Sequence, residues 1–268
     1  MASLVPSAVP DDPPGQAAAV SSLPVSRLTG SRKAASAIGR QRWNHLLFAH
    51  WRVDPAVVQA TLPPGLSVDT HGSAAFVGIV PFFMQRVRPV GLPPLPWISW
   101  FLELNVRTYV RDAAGRPGVW FYSLDCNQPL AVAIARRFFH LPYVHARMTA
   151  RIRERTISFA GRRRDEASPP WSYAWTPGDG TALAKPGSLE FFLVERYLLY
   201  TADRAGRLCC GRVEHAPYRL NTPVVSELSA TPSRLAGFRL EGPPVSVLGA
   251  RSVDVSVFPL EPVALSPA

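Results

Sequence analysis

Over residues 101–110 polar and apolar positions alternate. Glu103, Asn105, Arg107 and Tyr109 fall on one side of an extended chain, with Leu102, Leu104, Val106 and Thr108 on the other. A period of two marks a β-strand. The Gly- and Pro-containing stretch 111–118 and the run Val119 to Asp125 then complete a hairpin. Ala74 to Phe83 reads as a buried strand ended or bent by Pro81, and Tyr143 to Phe159 as a strand with Tyr143, His145, Arg147 and Thr149 on one face. Gly206 to His215 and Ser246 to Pro259 are further strands. Short helices are predicted after the Asp54-Pro55 start signal, over Pro129 to Phe139 with Asp125 or Asn127 near its start, and over Leu189 to Tyr197 with Ser188 as N-cap. Four prolines between Pro89 and Pro96 impose an irregular loop, a candidate lid. No strand–helix alternation, repeat or glycine-rich phosphate loop occurs. The pattern predicts a mainly β (α+β) antiparallel barrel or sandwich with two or three packed helices.

Residues 1–38 are rich in Ala, Ser, Pro and Gly and are expected to form a disordered tail. A single domain is expected over 39–260, with 261–268 fraying. Apolar residues make up 47% and charged residues 18%, enough for a sizeable core. The formal charge of +10 fits an anionic partner, but it fits a solvated basic surface equally well. Arg162-Arg163-Arg164 runs directly into Asp165-Glu166, and no nucleic-acid module accompanies it, so no nucleic-acid partner is expected. The longest apolar stretch, Ala74 to Met84, is too short to span a bilayer, and the first residues lack a secretory pattern. Three cysteines, Cys126 and the adjacent Cys209 and Cys210, fit neither a disulfide framework nor a zinc site. Reduced thiols in the cytoplasm, without a membrane partner, are the expectation.

The polar face of Phe101 to Val110 has two readings. It could be solvated, or it could line a lumen where a carboxylate and a guanidinium meet a ligand. His45 and His50, and His140 and His145, are each five residues apart, and His215 follows Glu214. None of these makes a tight ligand motif, so no metal is expected.

Several segments, in order, resemble the YqjF-like family, a domain of unknown function. They are Trp43 to Val53, Leu62-Pro63-Pro64-Gly65-Leu66, Glu103 to Val110, Val119 to Asp125, Leu141-Pro142-Tyr143 and Glu195-Arg196-Tyr197. That family is similar to the acetoacetate decarboxylase superfamily, which implies a curved, cone-like antiparallel β-barrel with a closed central cavity. In the decarboxylases a Lys-Lys pair follows a proline after a helix, and the first lysine forms a Schiff base with a β-keto acid. A glutamate on an earlier strand lines the same pocket. Carried over, Pro142 matches the proline and Glu103 the glutamate, while Tyr143 and Val144 stand where the lysines would be. The only lysines are Lys33, in the expected tail, and Lys185, in a loop.

The resemblance therefore implies a cavity without the reactive amine. Glu103, Tyr143 and His145 are the candidate catalytic residues, and Asn105, Arg107, Tyr122 and Arg136 the candidate ligand-binding ones. Such a set suits acid–base chemistry (enolisation, hydration or lyase type) on a small carbonyl or carboxylate compound. It equally suits a non-catalytic ligand-binding or scaffold protein. The expected partner is a small anionic or carbonyl ligand, with no cofactor and with homo-oligomer formation left open.

Overall fold

The computed structural model describes residues 35–165 and 167–263; the tail expected over 1–38 falls mostly outside them, as do residues 264–268. The chain runs β1 (Gly39–Val53), α1 (Pro55–Gln59), β2 (Leu66–Val68), β3 (Ala75–Pro89), β4 (Phe101–Asp112), β5 (Pro117–Cys126) and α2 (Pro129–Phe138). It continues through β6 (Tyr143–Arg153), β7 (Thr156–Arg163), β8 (Trp171–Thr176), β9 (Ala182–Leu183), α3 (Leu189–Val194), β10 (Leu198–Ala202) and β11 (Leu208–His215). The last elements are β12 (Arg219–Asn221), β13 (Val224–Leu228), α4 (Thr231–Leu235), β14 (Ser246–Val257) and β15 (Glu261–Pro262).

Seven strands pair into a closed circuit, β5-β10-β11-β14-β1-β3-β4 and back to β5. Closure removes the free edges an open sheet would expose. The pairings are mostly antiparallel, but β5 runs parallel to both β10 and β6, so the sheet is mixed rather than purely antiparallel. From β6 the chain leaves the ring and builds a second layer, β6-β7-β8-β13.

Where this layer covers the ring, as over β3 and β4, the strands bury both faces, whereas β14 leaves Ser252 and Asp254 exposed on its outer side. Inward side chains such as Phe48, Phe82, Tyr109, Cys126, Val213 and Val253 form one core cluster. Outward ones, Leu47, Ile79, Leu104 and Val106 among them, pack against Phe159, Trp171, Tyr173 and Trp175 of the second layer.

Local expectations needed several adjustments. Strand β3 does not end at Pro81, which stays in register opposite Leu104. The ladder to β1 is irregular over Asn44 to Ala49, with His45 at φ 51°, and a residue without an N–H is tolerated beside such a bulge. Tyr143 to Phe159 is two strands, broken at Glu154 (φ 54°). The cap of α2 is Gln128, whose side chain accepts from Leu130 N at 2.7 Å; Asn127 instead accepts from Leu102 N. Asp54 and Ser188 cap α1 and α3 as the sequence predicts. At the C-terminus, residues 261–263 are not frayed, because Glu261–Pro262 pairs with β11 and Val263 N donates to Leu208 O. The described residues hold four helices, one more than the upper expectation. None is long and apolar enough to cross a membrane.

Candidate active site inside the strand ring

The alternation of β4 has a different consequence from that of an ordinary half-buried strand. Leu102, Leu104 and Val106 fill the outer interface, and the polar face turns inward. Glu103 is 3% exposed, Asn105 5% and Arg107 9%, which excludes the solvated-face reading. Charged side chains are almost never buried to this degree unless paired.

Glu103 is bonded by Tyr143, whose hydroxyl donates to Oε2 at 2.7 Å. Parallel pairing of Leu124 with Tyr143 sets β6 beside β5 and so brings this phenol to β4. Burial raises the Glu103 carboxyl from an ordinary 4.5 to about 7, against the opposing pull of the Tyr143 bond. Burial, then Glu103 and Cys126, hold the Tyr143 phenol well above its usual range. Cys126, opposite Glu103 on β5, is pushed up to about 12 by burial and by the carboxylate. It is therefore a thiol, and all three cysteines are free.

Arg107 and Glu103, opposite charges on one strand face, form no ion pair. Two residues of the same strand face, four apart, stand about 13 Å from each other. Instead Arg107 Nη2 donates to Leu193 O at the end of α3 (3.0 Å), and the guanidinium lies over Phe48 (5.5 Å) and Tyr109 (5.6 Å). Its Nε is buried without a protein acceptor, as is Asn105 Oδ1 without a donor. Arg196 makes the contrast plain. It is equally buried but pairs with Asp69 at 2.6 Å.

Around Arg107 stand two histidines the motif reading did not select. His50 Nε2 lies 2.7 Å from the Tyr109 hydroxyl, which also donates to Leu193 O at 2.8 Å. Gly78 separates His50 from Arg107 across the sheet, and a Cβ there would stand 2.8 Å from His50 Cδ2. His215 packs in tilted contact against Tyr197 (ring centroids 4.7 Å) and Tyr218 (4.6 Å). Burial and the Arg107 charge push both imidazoles below their usual range, so they are neutral. The signal that could have found them is the face rule: His50 shares its face with Phe48, and His215 with Val213.

Three candidates are not brought to the interior of the strand ring. Tyr122 sits at a register shift between β4 and β5 (Val106 pairs with Ser123, Arg107 with Phe121). It turns outward to Thr61 (2.7 Å) and Phe238. Arg136 Nε donates to the Tyr143 carbonyl at 2.6 Å, so it anchors the start of β6 instead of meeting a ligand. His145 shares the face of Tyr143 but lies farther along β6, half-exposed, with its pKa lowered by partial burial and by Arg164. Lys185 is exposed. Among the described residues no three His, Cys, Asp or Glu side chains gather as metal ligands.

Residues 40–254 match the DUF2071 family of uncharacterised conserved proteins. The uncharacterised protein YqjF of Bacillus subtilis (strain 168) is 35% identical over 223 residues, 83% of this chain and 91% of that protein. Among solved structures, acetoacetate decarboxylase from Legionella pneumophila superposes with a TM-score of 0.59 at 14% identity, covering 87% of this chain and 90% of that one. An acetoacetate decarboxylase-like enzyme from Sphingomonas wittichii RW1 gives 0.57 at 12% identity, over 85% and 94%. The enduracididine biosynthesis enzyme MppR, complexed with pyruvate, gives 0.57 at 13% identity, over 88% and 94%. Identities this low speak for the fold alone, and the sequence match supplies the rest: the chain belongs to the DUF2071, YqjF-like family and has an acetoacetate decarboxylase-like fold.

Proposed function

We propose that the lumen binds a small carbonyl-bearing carboxylate and that Glu103 moves a proton on it. The observation that carries this reading is that two buried ionisable groups on the inward face of β4, Glu103 and Arg107, are not paired to each other. A buried cation lacking a counter-charge is costly, and an entering carboxylate relieves that cost with charge-assisted hydrogen bonds. Arg107 is the anion anchor and Asn105 a polar contact between the two ends. Glu103, near pH 7, is the acid–base group. As carboxylate it takes a proton from the carbon beside the carbonyl, leaving an enolate, and then returns that proton. Tyr143 keeps Oε2 occupied and so presents the other oxygen to the substrate.

Imine chemistry has no place in this reading. By the family resemblance Tyr143 and Val144 stand where the reactive amines would be, and Lys185 is exposed. MppR, of the same fold, was crystallised with pyruvate, which makes pyruvate a sensible first probe beside acetoacetate.

The test is calorimetric binding of both acids together with deuterium exchange of the pyruvate methyl group. The wild type should bind and exchange. Arg107→Ala should weaken binding at least about tenfold, the scale of one charged hydrogen bond. Glu103→Gln should bind but not exchange. Absence of binding in the wild type refutes the proposal, and borohydride trapping of acetoacetate on Lys185 refutes its lysine-free character.

A further inference from the structure

We infer that the outer side of the ring carries a second anion site, an arginine-lined cleft across β1, β3 and β14 that takes two phosphate groups of one molecule. It lies on the other side of these strands from Glu103 and Arg107, so neither reading depends on the other.

The cleft begins with a break in the period of two. Phe82 and Met84 belong to the inner core, and an unbroken strand would send Arg86 after them. Between Arg40 and Arg42 the ladder to β3 shifts: Arg40 faces Arg88 and Arg42 faces Gln85, which leaves Gln41 alone opposite Arg86 and Val87. The extra residue is a β-bulge, and Arg86 takes the left-handed backbone (φ 54°) that one class of bulge uses. Val87 thereby returns to the inner core, and Arg86 is exposed on the outside with Arg88. On β1 and β14, Trp43 and Val253 face inward, so Arg42 and its register partner Asp254 face outward. Arg40, Arg42, Arg86, Arg88 and Asp254 line one cleft of about 320 Å³, the lower end of the range for small-ligand sites.

Four guanidiniums there meet one carboxylate. Arg42 holds both Asp254 oxygens at 2.7 Å. That bond, with the charges of Arg42, Arg86 and Arg88, keeps the Asp254 carboxyl below its usual range. Among the described residues the other three arginines have no carboxylate partner. Arg40 donates to Ser256 Oγ and Arg88 to the Arg86 carbonyl, both neutral acceptors. Arg40 and Arg88 also stand directly opposite each other, and like charges so placed weaken a sheet. A bulge and a backbone conformation uncommon outside glycine thus gather cations that repel one another, a local cost that an anion offsets.

The uncompensated charge defines that anion. A carboxylate brings one negative charge and a phosphate monoester at most about two, whereas two linked phosphates bring about three near neutral pH. Guanidinium forks match phosphate oxygens with paired N–H···O bonds. Among the described residues no aromatic side chain lines the cleft, so it reads the charged groups and stacks no ring on them.

Pyrophosphate and succinate, titrated calorimetrically at low ionic strength, are the probes. The wild type should bind pyrophosphate at least about tenfold more tightly than succinate. Arg86→Asn removes the charge yet suits the left-handed backbone, and it should weaken pyrophosphate binding about fivefold or more, as should Arg40→Gln. Asp254→Asn should tighten binding, because a competing carboxylate is gone and Arg42 is released. Arg151→Ala, at an exposed arginine of β6 outside the cleft, should change nothing. Phosphatidylcholine vesicles containing phosphatidylinositol bisphosphate identify the source of the phosphates. Co-sedimentation that pyrophosphate competes away assigns them to a lipid headgroup, and pyrophosphate binding without co-sedimentation assigns them to a soluble molecule. No pyrophosphate binding, equal affinity for the two probes, or a loss with Arg151→Ala as large as with Arg86→Asn overturns the inference.

Discussion

Strand β4 buries two faces that could hardly be less alike. Outward, Leu102, Leu104 and Val106 meet the aromatic layer of Phe159, Trp171, Tyr173 and Trp175, where apolar surface meets apolar surface. Inward, Glu103, Asn105 and Arg107 are as deeply buried, yet Arg107 Nε and Asn105 Oδ1 find no protein partner. The outer face obeys the rule that cores are apolar and close-packed. The inner face breaks the rule that buried polar groups are bonded, and such breaches gather at functional sites. One strand thus divides the labour, with packing on one side and, in the proposed reading, chemistry on the other.

Four changes bear on that division. The largest effect belongs outside: Phe159→Ala should cost about 3–5 kcal/mol of stability by urea denaturation, and in the folded fraction it should leave pyruvate binding unchanged. Loss of binding from this change alone would erase the distinction between the faces.

Second is the pH dependence set by Glu103. The folded state keeps the proton to about pH 7, while an unfolded chain releases it near its ordinary 4.5. Between those values the folded state holds more protons, so raising the pH across the window lowers stability, by about 3 kcal/mol in total. Glu103→Gln mimics the protonated acid. It should abolish this decline and be the more stable protein at pH 8, with the advantage gone near pH 4. Parallel urea curves for the two proteins at every pH would show that Glu103 titrates normally.

Third, Gly78→Ala puts a methyl group against the His50 ring and should cost about 1–3 kcal/mol while weakening acid binding. Smallest is Tyr122→Phe. It removes an outward bond to Thr61, with at most about 1 kcal/mol of stability lost and no change in binding. A binding defect there would return Tyr122 to the lumen wall.

Much of this was legible in the chain. The period of β4 separated its two faces correctly, and the Asp54 and Ser188 caps followed from residue type. What local patterns could not convey was pairing between distant strands. The polar face of β4 is turned inward only because β5 meets β10, which follows it by some 80 residues, and β11 meets β14. Tyr122 was misassigned because a single bulge residue reverses the face, and a bulge leaves no mark on the alternation of Val119 to Asp125. His50 and His215 were passed over because their spacing was weighed for metal binding, when the informative fact was that they turn into the same interior.

The closed circuit of seven strands also sets a clock. With every ring strand paired on both sides, no gap between neighbours can widen to pass a molecule without breaking a ladder. Traffic must use the ends of the ring, and one end is held by α3, whose Leu193 carbonyl binds both Tyr109 and Arg107. If Arg107 grips an anion as proposed, the gripping group is also tied to α3 through the Leu193 carbonyl, and the Arg107–Leu193 contact then bears on residence time as well as on affinity.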